Sequence, residues 1–282
     1  MLYNYIDLGA KPLRSLLCTI LDKPNLGALV KTLKFRELWQ YNTDGPTYMQ
    51  KPSPPSNEIQ SLYISKALPQ VPERFHHLLE TALIEKRAEA EAVLLLLLVP
   101  NLRALCLNFE YEDDYQFDET GEVALDTGFL RYNLLLQALN DDDRDSSTND
   151  PEIITFPALD ALDIASPCES PWRDDIYPLC VFWDVSRLMG IFTRRKLRHV
   201  ALNRCRGPLG ISKSMVEKLS GSLSLESIAI TDSAVADSMP DILKMIKGLQ
   251  HFQYHVPEPL ELRSSDEYIS ARYLRDLSSQ IQ

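Results

Sequence analysis

Apolar residues recur along this chain in one short phrase, at offsets 0, 3 and 5. The six copies are Val30–Leu33–Phe35, Leu102–Leu105–Leu107, Leu159–Leu162–Ile164, Leu197–Val200–Leu202, Leu225–Ile228–Ile230 and Leu249–Phe252–Tyr254. On a strand, alternate side chains share a face, so offsets 3 and 5 point together into a core. Residues 93–109, VLLLLLVPNLRALCLNF, show the whole unit: the end of an apolar helix, a breaker at Pro100, then the strand. A helix that is apolar on nearly every side packs against more than one neighbour. One helix and one strand cannot bury that surface alone, and the recurrence supplies copies to do so.

Between the strands the pattern predicts helices over 12–21, 58–67, 73–99, 127–139, 181–192, 214–219, 240–247 and 266–279. Tyr3, Ile6 and Leu8 repeat the offsets and predict a worn strand ahead of the first clear one. Residues 40–72 carry Pro46, Pro52, Pro54, Pro55, Pro69 and Pro72 and read as a surface insertion, since proline breaks long elements. In 73–99 the run EKRAEAEA reads as the solvated side of one long amphipathic helix, with charges three and four apart. The loop-like stretch 167–180 holds Pro167, Pro171 and Pro178 around Trp172.

The middle residues of the six phrases are spaced 72, 57, 38, 28 and 24 apart. The last two spacings lie in or near the 20–29 residue period of leucine-rich repeats. The expectation is one α/β domain over 1–282, a horseshoe-like leucine-rich repeat solenoid with insertions at about 40–72, 110–126 and 140–152.

LRSLLCTILDKPNLGALVKTLKF at 13–35, LLLLLVPNLRALCLNF at 94–109, FPALDALDIAS at 156–166, LRHVALNRC at 197–205 and LESIAITDS at 225–233 resemble the leucine-rich repeat region of fungal F-box-type proteins. The phrases touch most of residues 12–255, and the order helix, P-N-L, strand carries the likeness. Cys205 and the ITD at 230–232 are similar to the cysteine-containing repeat subtype. The resemblance implies the substrate-receptor part of a cullin-type ubiquitin ligase. An F-box is not evident in this chain: no acidic residue follows Pro12 as its Leu-Pro-x-Glu-Leu start requires. A Skp-type adaptor is therefore an expected partner only if an F-box lies outside these residues. The alternative is a stand-alone regulatory or scaffold repeat protein with no ubiquitin role.

The net charge of −11 is uneven. Residues 110–152 hold 14 acids and 2 bases, or −12, which leaves 26 acids and 27 bases elsewhere, or +1. Such acidic runs read as solvated loops. No basic stripe marks a nucleic-acid partner. The longest apolar run, Ala92 to Val99, is far short of the roughly 20 residues that a spanning helix needs, so no membrane is expected. Cys18, Cys106, Cys168, Cys180 and Cys205 are odd in number and contain no C-x-x-C pair. That pattern predicts reduced thiols and a cytoplasmic or nuclear setting.

No catalytic or cofactor motif is present, neither G-x-S-x-G, H-E-x-x-H nor a phosphate-cradling glycine loop, so a non-enzymatic protein without cofactor is expected. Asp141, Asp143, Asp145, Ser147, Asn149 and Glu152 fall at EF-hand ligand positions, but Ser146 replaces the required glycine and Pro151 blocks the exit helix. His251 and His255 lie about 13 Å apart on a strand, too far to share a zinc ion. Cys205 could be a nucleophile only beside an activating base, and reads instead as a repeat-ladder or core cysteine. What remains is the outward face of the strands: Thr32, Lys34, Arg36, Ala104, Cys106, Asn108, Ala161, Asp163, Ala165, then His199, Ala201, Asn203, Ser227, Ala229, Thr231, His251, Gln253 and His255. Solenoids bind protein partners with such a face, and the candidate contact residues are His199, Asn203, Ser227, Thr231, His251 and Gln253. Calcium is expected to leave the melting temperature unchanged, because only a ligand of the folded state raises it. A calcium-dependent rise that disappears in Asp141→Ala would overturn that reading of 141–152.

Overall fold

The computed structural model describes residues 4–8, 10–38, 54–109, 133–140, 156–165, 183–184, 189–203, 205–206, 213–231, 233 and 239–255. The chain divides into two compact units, Met1–Pro167 and Cys168–Gln282. Both are α/β, with parallel strands.

The first unit runs β1 (Tyr5–Leu8), α1 (Ala10–Asp22), a 3-10 turn (Pro24–Leu29), β2 (Thr32–Leu38), α2 (Asn57–Leu62), a π segment (Tyr63–Ala67) and two 3-10 turns (Leu68–Gln70, Glu73–Phe75). It continues with α3 (His76–Ile84), α4 (Ala88–Leu97), β3 (Ala104–Phe109), α5 (Asn133–Asn140) and β4 (Ala161–Ala165). Its four strands pair in chain order. Register stacks the inward residues into two rows. Ile6, Leu33, Leu105 and Leu162 form one; Leu8, Phe35, Leu107 and Ile164 form the other. All but Ile6 are buried to 2% exposure or less.

That register is set where each strand begins. The Asn4 carbonyl accepts the N–H groups of Lys31 and Thr32, at 3.1 and 2.9 Å. The Lys31 carbonyl accepts those of Arg103 and Ala104, and the Arg103 carbonyl those of Asp160 and Ala161, all within 2.7–3.0 Å. The worn strand expected at Tyr3–Ile6–Leu8 is therefore a full member of the ladder, as β1.

Three expectations change. The helix foreseen over 73–99 is broken into the turn Glu73–Phe75, α3 and α4. Lys86 carries φ 56, a left-handed backbone that no helix continues through. The region 40–72, read as surface, sends Tyr63, Ala67, Leu68 and Val71 into the core over its described part. Helix α4 is not amphipathic: Ala90, Ala92 and Val93–Leu96 are fully buried, and it packs against α1, α3, α5 and β2.

The second unit runs β5 (Trp183–Asp184), α6 (Met189–Phe192), β6 (His199–Asn203), β7 (Cys205–Arg206), α7 (Lys213–Leu219), β8 (Ser227–Thr231), α8 (Met239–Met245) and β9 (His251–His255). Strands β6, β8 and β9 pair in parallel, and β5 pairs with β7. The entry geometry recurs: the Arg198 carbonyl accepts from Glu226 and Ser227, and the Glu226 carbonyl from Gln250 and His251, at 2.8–3.0 Å. The helix expected over 181–192 reduces to α6, because Trp183 and Asp184 pair with Cys205 and Arg206 instead. Aromatic and β-branched residues favour strands, and Val181, Phe182 and Trp183 supply three in a row. The acidic loops, the calcium-like phrase 141–152, the stretch 167–180 and the helix foreseen over 266–279 lie outside the described residues.

Gly27 fixes how closely the layers of the first unit approach. A Cβ there would collide with the Leu98 carbonyl oxygen at the end of α4, and its next neighbour is the Ile20 side chain at 3.4 Å. Gly27→Ala should destabilise the protein by about 1–3 kcal/mol, the usual range for overpacking a core. The check is a denaturant midpoint that falls while the slope of the transition stays constant.

Candidate functional site

Because inward and outward positions alternate, the same pairing that buries leucine lays out the opposite face in rows. In the second unit, His199, Ser227 and His251 form one row on β6, β8 and β9. Ala201, Ala229 and Gln253 form the next; Asn203, Thr231 and His255 form the last. All six candidate contact residues therefore stand on three adjacent strands of one unit. His199, His251 and Gln253 are exposed, while Asn203, Ser227 and Thr231 are half-buried between neighbouring strands. Behind them lie Val200, Leu202, Ile228 and Ile230, all buried.

The last row continues just past the strand ends as a hydrogen-bonded step. Ser233 is buried, and its hydroxyl accepts the Cys205 N–H at 3.0 Å and contacts the Cys205 thiol at 3.3 Å. That hydroxyl donates to the Thr231 carbonyl at 2.6 Å, and Tyr254 donates its hydroxyl to the Ser233 carbonyl at 2.9 Å. Cys205 stands at offset 8 from Leu197, and Ser233 at offset 8 from Leu225. The two therefore stand at equivalent positions after successive strand phrases, and both are buried.

On the first unit the equivalent rows are Tyr5–Thr32–Ala104–Ala161 and Asp7–Lys34–Cys106–Asp163. The Arg36 side chain lies outside the described residues. The Cys106 thiol donates to the Asp163 carboxylate at 3.4 Å. Burial first, and then the Asp163 charge, push its pKa up to about 12. A thiol so disfavoured as thiolate is a poor nucleophile at neutral pH.

Histidines do not converge. His199 and His251 are separated by the β8 strand, about 10 Å at ordinary strand spacing, and His255 closes the opposite end of β9. Among the described residues no group of three or more His, Cys, Asp or Glu side chains could hold a metal ion. A gap within the second unit is walled by Met189, Phe192, Val200, Ile228, Ile242 and Met245. Its lining is apolar throughout, and such gaps stay dry. No described helix is long and apolar enough to cross a membrane.

The chemistry that the sequence concealed is buried in the first unit. Glu91, on α4, is 3% exposed and receives both arms of the Arg14 guanidinium, at 2.9 and 3.0 Å. Tyr63, fully buried, donates its hydroxyl to the same carboxylate at 2.7 Å. Burial and the Glu91 charge drive the Tyr63 pKa far above the ordinary phenol value, so it stays a donor. Charged residues two apart in EKRAEAEA carried a signal: the helix continues into LLLLL with no polar side left for them.

Comparison with protein-family models, curated proteins and solved structures finds no significant match to this chain.

Removing the Tyr63 hydroxyl should cost about 1.5–3 kcal/mol, as for a hydrogen bond to a charged group. Glu91→Ala should cost more, about 3–5 kcal/mol, because it leaves the Arg14 charge without its buried partner. Melting of Tyr63→Phe, Glu91→Ala and the double variant checks both figures; simple additivity of the two losses would show that the residues do not act together.

Proposed function

We propose that the chain is a leucine-rich repeat solenoid that recognises a protein partner through the open face of its parallel strands. One observation carries the reading: rows of small and polar side chains, free of Asp, Glu, Lys and Arg, stand on a ladder whose opposite side is apolar and, on β6 and β8, buried. Such a surface offers donors and acceptors at the strand spacing without steric bulk, which suits a protein surface better than a small ligand. The recurring carbonyl entry supports the solenoid, because within each unit β1 to β4 and β6, β8 and β9 join their neighbours by the same two hydrogen bonds. On this reading His199, Asn203, Ser227, Thr231, His251 and Gln253 make the contacts. The chain is then the receptor part of an F-box-like protein, as the sequence resemblance implies, and binding to a Skp-type adaptor by the full-length gene product tests that link separately.

The test of the face is Ser227→Arg combined with Gln253→Arg. Neither side chain enters the core, so each substitution should shift stability by no more than about 0.5 kcal/mol. Two bulky cations among small residues should block docking through sterics and unpaired charge. Capture of cellular partners by wild type and double variant is compared beside thermal melts of both. A folded double variant that retains the same partners places recognition elsewhere on the chain.

A further inference from the structure

Glu89 stands in the first turn of α4, yet it is only 4% exposed. Its Oε2 accepts the Leu135 N–H at 3.3 Å, in the first turn of α5. Its Oε1 is also buried and has no hydrogen-bond partner. Among the described residues the cation paired with it is the Arg87 guanidinium, 3.9 Å from Oε1 and beyond hydrogen-bond reach. Among the described side chains, other charges on the elements around α4 are committed or turned away. Arg14 of α1 serves Glu91, and Lys34 of β2 is on the open face. On α3, His76 bonds the Val71 carbonyl, His77 pairs with Thr81, and Glu80 is exposed. The sequence of α5, NLLLQALN, has no ionisable group, and its Leu134, Leu135, Ala138 and Leu139 are buried.

An oxygen buried without a partner is tolerable in a neutral acid and costly in a carboxylate. We propose that Glu89 is a proton-operated latch on α5, holding the helix against α4 when neutral and favouring its release when ionised. The helix lies in sequence between two acidic segments, with eight acids in 110–126 and six in 141–152. Its docking therefore sets how that acidic stretch is tethered to the first unit. The proton exchanges with solvent, and no other group needs to change.

The direction follows from the two states. Burial pushes the docked carboxyl up to about 7, against the partial relief of the Leu135 N–H and Arg87. Once released and hydrated it returns to the ordinary value, 4.5. A raised pKa in the docked state means that its stabilisation is complete below 4.5 and is lost as pH rises through 7. The opening constant of α5 should then rise roughly 40-fold between pH 5 and pH 7 and level off above.

Hydrogen exchange of residues 133–140 in the full chain, corrected for the intrinsic rate, reads that constant directly. Wild type should show the rise, and Glu89→Gln, which stays neutral, should show a flat profile. Parallel profiles in the two proteins would overturn the latch. Should Glu89→Gln fail to fold, wild type alone decides by an isotope-labelled carboxyl titration. Titration of Glu89 in the ordinary glutamate range sinks the proposal; titration near neutrality, in step with exchange of α5, supports it.

Discussion

Within each unit, β1 to β4 and β6, β8 and β9 take their register from a single carbonyl that accepts two successive N–H groups of the next strand. Everything on either face depends on that join. Because side chains alternate with a period of two, a slip of one residue would turn Leu105 and Leu107 outward and bring Cys106 and Asn108 into the core. The pair of bonds fixes the alignment before any side chain meets another. The inward rows then need cover, which the helices supply, and the outward rows follow without further specification. The polar face of β6, β8 and β9 is thus a by-product of the burial behind it.

In the first unit the cover comes mainly from α4, and its consequence is electrostatic. A helix buried on all sides has nowhere to solvate a charge, yet Glu89 and Glu91 stand in its first turn. They are answered differently. Glu91 is met by the Arg14 guanidinium and the Tyr63 hydroxyl, so both its oxygens have donors. Glu89 is met only by backbone N–H groups at the start of α5, and its Oε1 has no hydrogen bond. The first arrangement ties α1 and the proline-rich region to α4; the second leaves a carboxyl whose charge the interior disfavours.

What the sequence disclosed and what it hid separate along physical lines. The offsets 0, 3 and 5 located the strands β2, β3, β4, β6, β8 and β9, because the phrase records local alternation and needs no tertiary information. The same offsets, at Tyr3, Ile6 and Leu8, marked β1. The candidate rows were legible for the same reason: outward positions are the complement of inward ones. The break at Lys86 was not, since EKRAEAEA is rich in helix formers and nothing local demands a left-handed residue there. Nor was the burial of Tyr63, whose partner Glu91 lies 28 residues away on α4 and is itself bonded to Arg14 of α1, 77 residues from it. Prolines around Tyr63 announced a surface, and the long-range hydrogen bonds overrode them. The strand β5 at Trp183 and Asp184 was not legible either, because two residues are too few to show alternation.

The step formed by Cys205, Ser233 and Tyr254 has a kinetic consequence. Its thiol is fully buried and engaged with a hydroxyl that is itself committed to a backbone carbonyl. An oxidant or alkylating reagent can reach that sulfur only after the ends of β6 and β8 have parted. The labelling rate of Cys205 is therefore the thiol's own reactivity scaled by how often the structure around it opens, which makes this sulfur a reporter on the second unit.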